Sequence, residues 1–155
     1  MSCCNNRVQF TVQKTFKFCA AHRLLNHKGK CRHLHGHNYV VTAAFGRTDD
    51  NLDLASMMVV DFAALKPLQQ WIDDNWDHAT ILNVNDSTIA DAVLKAAVEE
   101  SHESRLFVMD YDPTAEAMAE ALTRLWANLL PSGIRIVSIG VQETDTCEAR
   151  IECPC

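Results

Sequence analysis

The sequence predicts an α+β fold: an antiparallel four-stranded sheet with helices packed on one face. Three observations lead there. Apolar residues alternate with a period of two near both ends, helical spacing fills the middle, and the element order is strand pair, helices, strand pair. No internal repeat, low-complexity stretch or linker breaks the 155 residues, which read as one domain over 1–155.

Val8, Phe10, Val12, Phe16 and Phe18 announce the first strand, all on even positions and interrupted only by Lys14. After a histidine-rich loop the parity turns odd, at Tyr39, Val41, Ala43 and Phe45, and "GRTDDN" supplies the turn that ends the second strand. In "DFAALKPLQQWIDDNWDH", Asp61 suits an N-cap, and Phe62, Leu65, Leu68, Ile72 and Trp76 recur at helical spacing. Pro67 should kink or divide that helix. "DSTIADAVLKAAVEESHE" predicts a short second helix through Ile89, Val93 and Ala97.

The clearest helix is "DPTAEAMAEALTRLWANLLPSG". Asp112 is its expected cap and Pro113 suits its first turn. Ala115, Met118, Ala119, Leu122, Leu125, Trp126 and Leu129 make one stripe, which reads as core, and Pro131 with Gly133 stops the helix. Two strands, 134–142 and about 147–152, close the chain.

Composition narrows the function. A net charge of −6 argues against a nucleic-acid or anionic-membrane binder. No apolar run approaches the ~20 residues that span a bilayer. "MSCCNNRVQF" lacks the charged-then-apolar pattern of an export signal, so the expected location is cytoplasmic. The seven cysteines are odd in number and not spaced as a disulfide framework, and they read as reduced thiols. Arg23, Lys28, Lys30 and Arg32 form a local basic run. It is a solvated loop in the bland reading and the receiver of an anionic substrate in the sharper one.

"CRHLHGHNY", residues 31–39, gathers a cysteine, three histidines and a glycine. Side chains two apart on a strand share a face. His35 and His37 share the parity of Tyr39, Val41 and Phe45, while His22, in "FCAAHRL", shares that of Phe16 and Phe18. Strands that keep their period to their ends bring these three imidazoles to one side of the hairpin, and Gly36 leaves the backbone between two of them unencumbered. Three neutral imidazoles with an open fourth position is the usual hold on catalytic zinc, whereas structural zinc takes four ligands rich in cysteine. Cys31 divides the two readings. As a fourth ligand it closes a structural clip; as a free thiol beside the metal it is a base or nucleophile. His27 and His33 read as loop histidines.

Asp77 and His78 adjoin in "NWDHATILN". A carboxylate can fix an imidazole's tautomer and raise its basicity, but adjacency in sequence does not make a hydrogen bond, and a surface pair is the simpler reading. Glu143 continues the parity of Val137, Ile139 and Val141 onto a buried face. A carboxylate there needs a partner: an arginine, or the donor edge of a ligand with an amidine-like group.

The motifs "FCAAHRL", "CRHLHGHNY", "VVDFAALK", "WDHATILN", "DPTAEAMA" and "VQETDTCEARI" run in the order found in the 6-pyruvoyl-tetrahydropterin synthase superfamily, which the chain resembles over most of its length. The Cys-x-x-x-His-Gly-His spacing from Cys31 to His37 is similar to its 6-carboxy-tetrahydropterin synthase branch, which serves queuosine (7-deazaguanine) biosynthesis. The pyruvoyl branch typically has five residues between the cysteine and His-Gly-His.

The resemblance implies a tunnelling (T-fold) domain that assembles into homo-oligomers, a hexamer being suggested, with active sites at subunit interfaces. It implies Zn2+ held by His22, His35 and His37, with Cys31 as the free catalytic thiol. Asp77 and His78 would complete the proton-transfer machinery, Glu143 would anchor the pterin ring, and Thr114 would help line the pterin pocket. The implied reaction converts 7,8-dihydroneopterin triphosphate to 6-carboxy-5,6,7,8-tetrahydropterin with loss of acetaldehyde and triphosphate. Zinc suits this as a Lewis acid on the side-chain oxygens, with Cys31 and His78 moving protons on opposite sides. The basic run from Arg23 to Arg32 is a candidate for receiving the triphosphate.

Two alternatives stand beside this reading: the sister pyruvoyl activity without carbon–carbon cleavage, and a non-catalytic zinc-stabilised binding module with Cys31 as fourth ligand. The chain departs from compact family forms in its long 84–110 segment and its cysteine-rich tail. Cys147, Cys153 and Cys155, with Cys3 and Cys4, could form a second soft-metal site, although sparse thiols of this kind are usually inert.

Overall fold

The computed structural model describes residues 10–153, so the expected strand start at Val8 and the thiols of Cys3, Cys4 and Cys155 lie outside the described residues. The alternating apolar runs form β1 (Val12–His22) and β2 (His35–Arg47), paired antiparallel from Val12↔Phe45 to His22↔His35. Pro67 divides the predicted helix. A 3-10 turn over Phe62–Leu65, capped by Asp61 accepting from the Ala63 N–H, gives way to α1 (Lys66–Asn75) with proline in its first turn. Then come β3 (Ala79–Asn83), α2 (Ser87–Glu99), β4 (Leu106–Met109) and α3 (Ala115–Ala127). The antiparallel pair β5 (Ile134–Thr144) and β6 (Cys147–Glu152) completes the sheet.

The sheet is six-stranded and mixed, in the order β4-β3-β1-β2-β5-β6. The expected four-stranded antiparallel sheet is therefore only a part of it: β1, β2, β5 and β6 form that quartet, and β3 and β4 extend its β1 edge in parallel. Both added strands are runs of only five and four residues, too short to show a period. Ile81 and Leu82, neighbours facing opposite ways on β3, are both fully buried, so no polar alternation marks the strand. β3 covers only Ala20–His22 of β1, the end that carries a site histidine.

One continuous core joins Phe16, Phe18, Val41 and Phe45 of the hairpin to Leu68 and Ile72 of α1 and to Met118, Leu122 and Trp126 of α3. Each such side chain contributes about 1.5–3 kcal/mol by leaving water. α1 and α3 thus pack on one face, as expected, whereas α2 buries only Ala97 and leaves Leu94 and Val98 exposed. Leu125 also leaves the predicted stripe for the surface. The cap of α3 is Thr114, whose hydroxyl oxygen accepts from the Ala117 N–H at 3.2 Å. Asp112 does not cap, because its carboxylate is taken by the Asn26 N–H at 2.9 Å and the Asn83 side chain at 2.8 Å. Among the described residues no helix is long and apolar enough to cross a membrane.

Candidate metal centre

The hairpin register builds the centre. His22 and His35 are direct cross-strand partners and His37 lies opposite Ala20, so all three rings reach the core face at the loop end of the hairpin. Gly36, between two of them, faces Ala21, and a Cβ there would come within 3.0 Å of the Ala20 carbonyl oxygen. The close approach at this end favours glycine.

The ring nitrogens converge. One ligand atom from each of His22, His35 and His37 lies within 4.8 Å of the others. His22 Nδ1 donates to the Pro113 carbonyl at 2.9 Å and His35 Nδ1 to the His33 carbonyl at 2.7 Å. A carbonyl can only accept, so both protons sit on Nδ1 and both Nε2 atoms carry lone pairs in the neutral rings. Those two Nε2 atoms are 3.2 Å apart. The third, His37 Nε2, is buried with no hydrogen-bond partner. Glu143 adds an oxygen 3.2 Å from His22 Nε2 and 3.7 Å from His37 Nε2.

Lone pairs facing one another at this range are stabilised by a cation among them. Metal–nitrogen bonds of about 2.0–2.1 Å hold tetrahedral donors roughly 3.3 Å apart, close to the 3.2 Å between the His22 and His35 Nε2 atoms. Burial, the largest influence, pushes His22 below the ordinary imidazole value against the Pro113 carbonyl and Glu143, which favour its charged form. Burial lowers His37 as well, again opposed by Glu143. Neutral imidazole is the ligand form. Beneath the rings lies Tyr39, its hydroxyl fully buried and its pKa pushed up by burial.

Cys31 is not in this cluster. It sits half-buried in the 3-10 turn Lys30–Arg32, and no hydrogen bond or ion pair joins it to the imidazoles. The closed-clip arrangement with Cys31 as fourth ligand therefore finds no support in the geometry. Thr114 follows Pro113, which holds His22; its oxygen serves the helix cap and its hydroxyl proton is left to donate.

Asp77 and His78 do form a hydrogen-bonded dyad. Asp77 Oδ2 accepts from His78 Nδ1 at 2.8 Å and Oδ1 accepts from the Cys19 N–H at 2.9 Å. Burial pushes the Asp77 carboxyl up, but the Cys19 N–H and His78 together hold it below the usual range, so it stays ionised. His78 has φ +59°, a left-handed conformation that costs a side-chain-bearing residue energy. Its ring is largely exposed at a cavity of about 380 Å³ that Cys19, Ala21, His37, Asn38 and Thr80 also line. Among the described residues, no hydrogen bond or ion pair links this dyad to the three imidazoles or to Cys31.

The basic run is only partly free. Arg23 makes a two-pronged ion pair with the buried Asp86, just ahead of α2, so its guanidinium is committed. Lys28, Lys30 and Arg32 have no ion-pair partner among the described residues. Cys147 and Cys153 are free thiols, and among the described residues no metal-ligating cluster includes them. Two contributors escaped the sequence reading, the Pro113 carbonyl and the Asp86 partner of Arg23. A backbone carbonyl leaves no trace in side-chain patterns, and Asp86 lies 63 positions from Arg23.

Comparison with known proteins gives the family of the chain. The sequence profile described as 6-pyruvoyl tetrahydropterin synthase matches residues 11–153. A Rickettsia conorii protein named 6-carboxy-5,6,7,8-tetrahydropterin synthase is 33% identical over 138 residues, covering 86% of this chain and 94% of the relative. An Aquifex aeolicus protein of the same name is 29% identical, covering 92% of this chain and 97% of its own. Among solved structures, an uncharacterized Wolinella succinogenes protein superposes with a TM-score of 0.76 at 24% identity, over 92% of this chain and 97% of that one. Caenorhabditis elegans 6-pyruvoyl tetrahydropterin synthase does so with a TM-score of 0.63 at 23% identity, over 94% and 96%. With the whole described sheet inside the matched span, the chain belongs to the 6-pyruvoyl tetrahydropterin synthase family.

Proposed function

We propose that the chain is a zinc-dependent 6-carboxy-5,6,7,8-tetrahydropterin synthase of queuosine biosynthesis. It converts 7,8-dihydroneopterin triphosphate to the 6-carboxy product and releases acetaldehyde and triphosphate. The observation that carries the reading is the convergence of three imidazoles, two with their Nδ1 atoms held by backbone carbonyls, in a chain whose relatives bear that name along most of their length. When bound, zinc supplies Lewis-acid polarisation of the substrate's side-chain oxygens.

The remaining roles fall to the chain's own groups. Cys31, free of the ligand cluster, takes and returns protons at the substrate side chain. His78 does so from the opposite side through Nε2, with Asp77 fixing its tautomer and supporting its positive charge. Glu143 accepts from the amidine-like edge of the pterin, and no arginine among the described residues competes for it; Arg150 on β6 pairs with Glu148 instead. Thr114 contributes its hydroxyl proton to the pterin pocket. Lys28, Lys30 and Arg32 receive the triphosphate.

Among the described residues no hydrogen bond or ion pair joins the Asp77–His78 dyad to Cys31 or the imidazoles, although His78 and His37 line one cavity, and the family resemblance supports a site completed by a second copy of the chain. We infer a homo-oligomer whose dyad serves a neighbour's metal, with the hexamer resting on family resemblance alone. The test is turnover of 7,8-dihydroneopterin triphosphate by zinc-loaded protein, with product mass and acetaldehyde measured in one tube. A 6-carboxy product with one acetaldehyde per turnover upholds the reading. A pyruvoyl product without acetaldehyde assigns the chain to the sister activity, and no turnover with metal bound leaves a binding module.

A further inference from the structure

We propose that Glu143 is an exchangeable fourth donor. It closes the metal's coordination while the pocket is empty and withdraws to the donor edge of the pterin when substrate enters. The inference rests on the function proposed above and adds a resting role to the carboxylate that binds the ring.

Glu143 owes its aim to a β-bulge. The β5–β6 pairing runs Gln142↔Glu148 and then Thr144↔Cys147, which leaves Glu143 as the extra residue. The β2–β5 ladder ends one step earlier, at Val40↔Gln142. Free of both ladders, the residue can turn its side chain without breaking a strand pairing.

The contacts select a metal. Glu143 has no hydrogen-bond or ion-pair partner among the described residues except the imidazoles of His22 and His37. Against His22, whose Nδ1 proton goes to the Pro113 carbonyl and whose Nε2 is bare in the neutral ring, a carboxylate oxygen meets a lone pair, so its position is favourable when a cation lies between them. A single shared proton serves one such pair, yet His22–His35, His22–Glu143 and His37–Glu143 all close at once.

The mobility is unequal. His22 is 1% exposed and pinned through Nδ1, and His35 is pinned the same way, whereas the Glu143 side chain is 27% exposed and pinned by nothing else. Unlike His22 and His35, it is held by no backbone hydrogen bond and is free to leave. Three nitrogens and a carboxylate make a closed set, while catalysis needs an open position. Exchange of Glu143 from metal to pterin would open that position only when a pterin is present to use it.

Cobalt(II)-loaded protein, unaltered and as Glu143→Ala and Glu143→Gln, provides the test. The visible cobalt spectrum reports the donor set without turnover. The expected result is a spectrum that differs between the unaltered protein and Glu143→Ala in the absence of ligand, with metal affinity weakened roughly 10–100-fold. Glu143→Gln, which keeps the side chain's shape, should fold as the parent does and fall between them. Superimposable spectra and equal affinities would overturn the proposal.

Saturation of the unaltered protein with 7,8-dihydroneopterin, its binding followed by equilibrium dialysis, should move the spectrum away from the resting form. An unchanged spectrum with pterin bound would overturn the exchange. Failure of the proposed activity reads differently, as absent acetaldehyde in the turnover assay, and does not alter the ligand-free spectra.

Discussion

His22 donates its Nδ1–H to the backbone carbonyl of Pro113, 2.9 Å away in space and 91 positions along the chain. The bond points Nε2 at the other two imidazoles and ties the end of β1 to the start of α3. His22→Ala should therefore abolish metal binding and also weaken the metal-free protein by about 1–3 kcal/mol, because it strands a buried carbonyl. His35→Ala, on a half-exposed ring, should lose the metal at much smaller cost to the metal-free fold. Metal content and urea denaturation of both variants check this.

Stability without metal should fall in acid. The unfolded chain protonates His22 and His37 near the ordinary value of 6.5, whereas burial holds both lower in the folded chain. As pH drops through 6.5 the unfolded state binds more protons, so unfolding becomes easier; above 6.5 the loss disappears. Urea midpoints of metal-free protein on either side of that value should show the decline, and a flat profile would contradict the neutral-imidazole assignment.

Cys31→Ala should keep its full complement of metal and lose about 100-fold or more in turnover, as removal of a proton-transfer group does. Asp77→Asn should behave likewise through His78. Mixed after unfolding and refolding together, the two inactive variants should regain activity if one copy's dyad serves another's thiol. Mixtures as inactive as their parents would place both groups in one chain's site.

Arg23→Ala leaves Asp86 charged and buried without its partner, a change that costs about 3–5 kcal/mol. The loss should appear in urea denaturation. By contrast, Lys28→Ala and Arg32→Ala should leave stability within about 0.5 kcal/mol and raise KM for the triphosphate substrate. Added salt should mimic them, since exposed charges are screened.

Much of the frame was legible because β1, β2 and α3 are long enough for their periods to declare themselves. Parity alone places His22, His35 and His37 on one face, since β1 and β2 hold their pleat to the last residue. β3 and β4 were not legible. A five-residue strand buried on both faces looks like any apolar run, and parallel pairing depends on partners far off in the chain. The α3 cap shifted from Asp112 to Thr114 because tertiary contacts consumed the Asp112 carboxylate. Arg23 looked available until Asp86 claimed it. In each case a long-range polar contact overrode a sound local preference.

The register of the hairpin has a consequence for manufacture of the protein itself. His22 and His35 face each other directly, and a slip of one residue between β1 and β2 would throw one set of rings to the opposite face. The same slip would turn that strand's core residues outward with the rings, and such a molecule has no site for an ion. Metal uptake thus inspects the zipping of the hairpin, and the loaded fraction of a preparation counts the chains that closed in the right alignment.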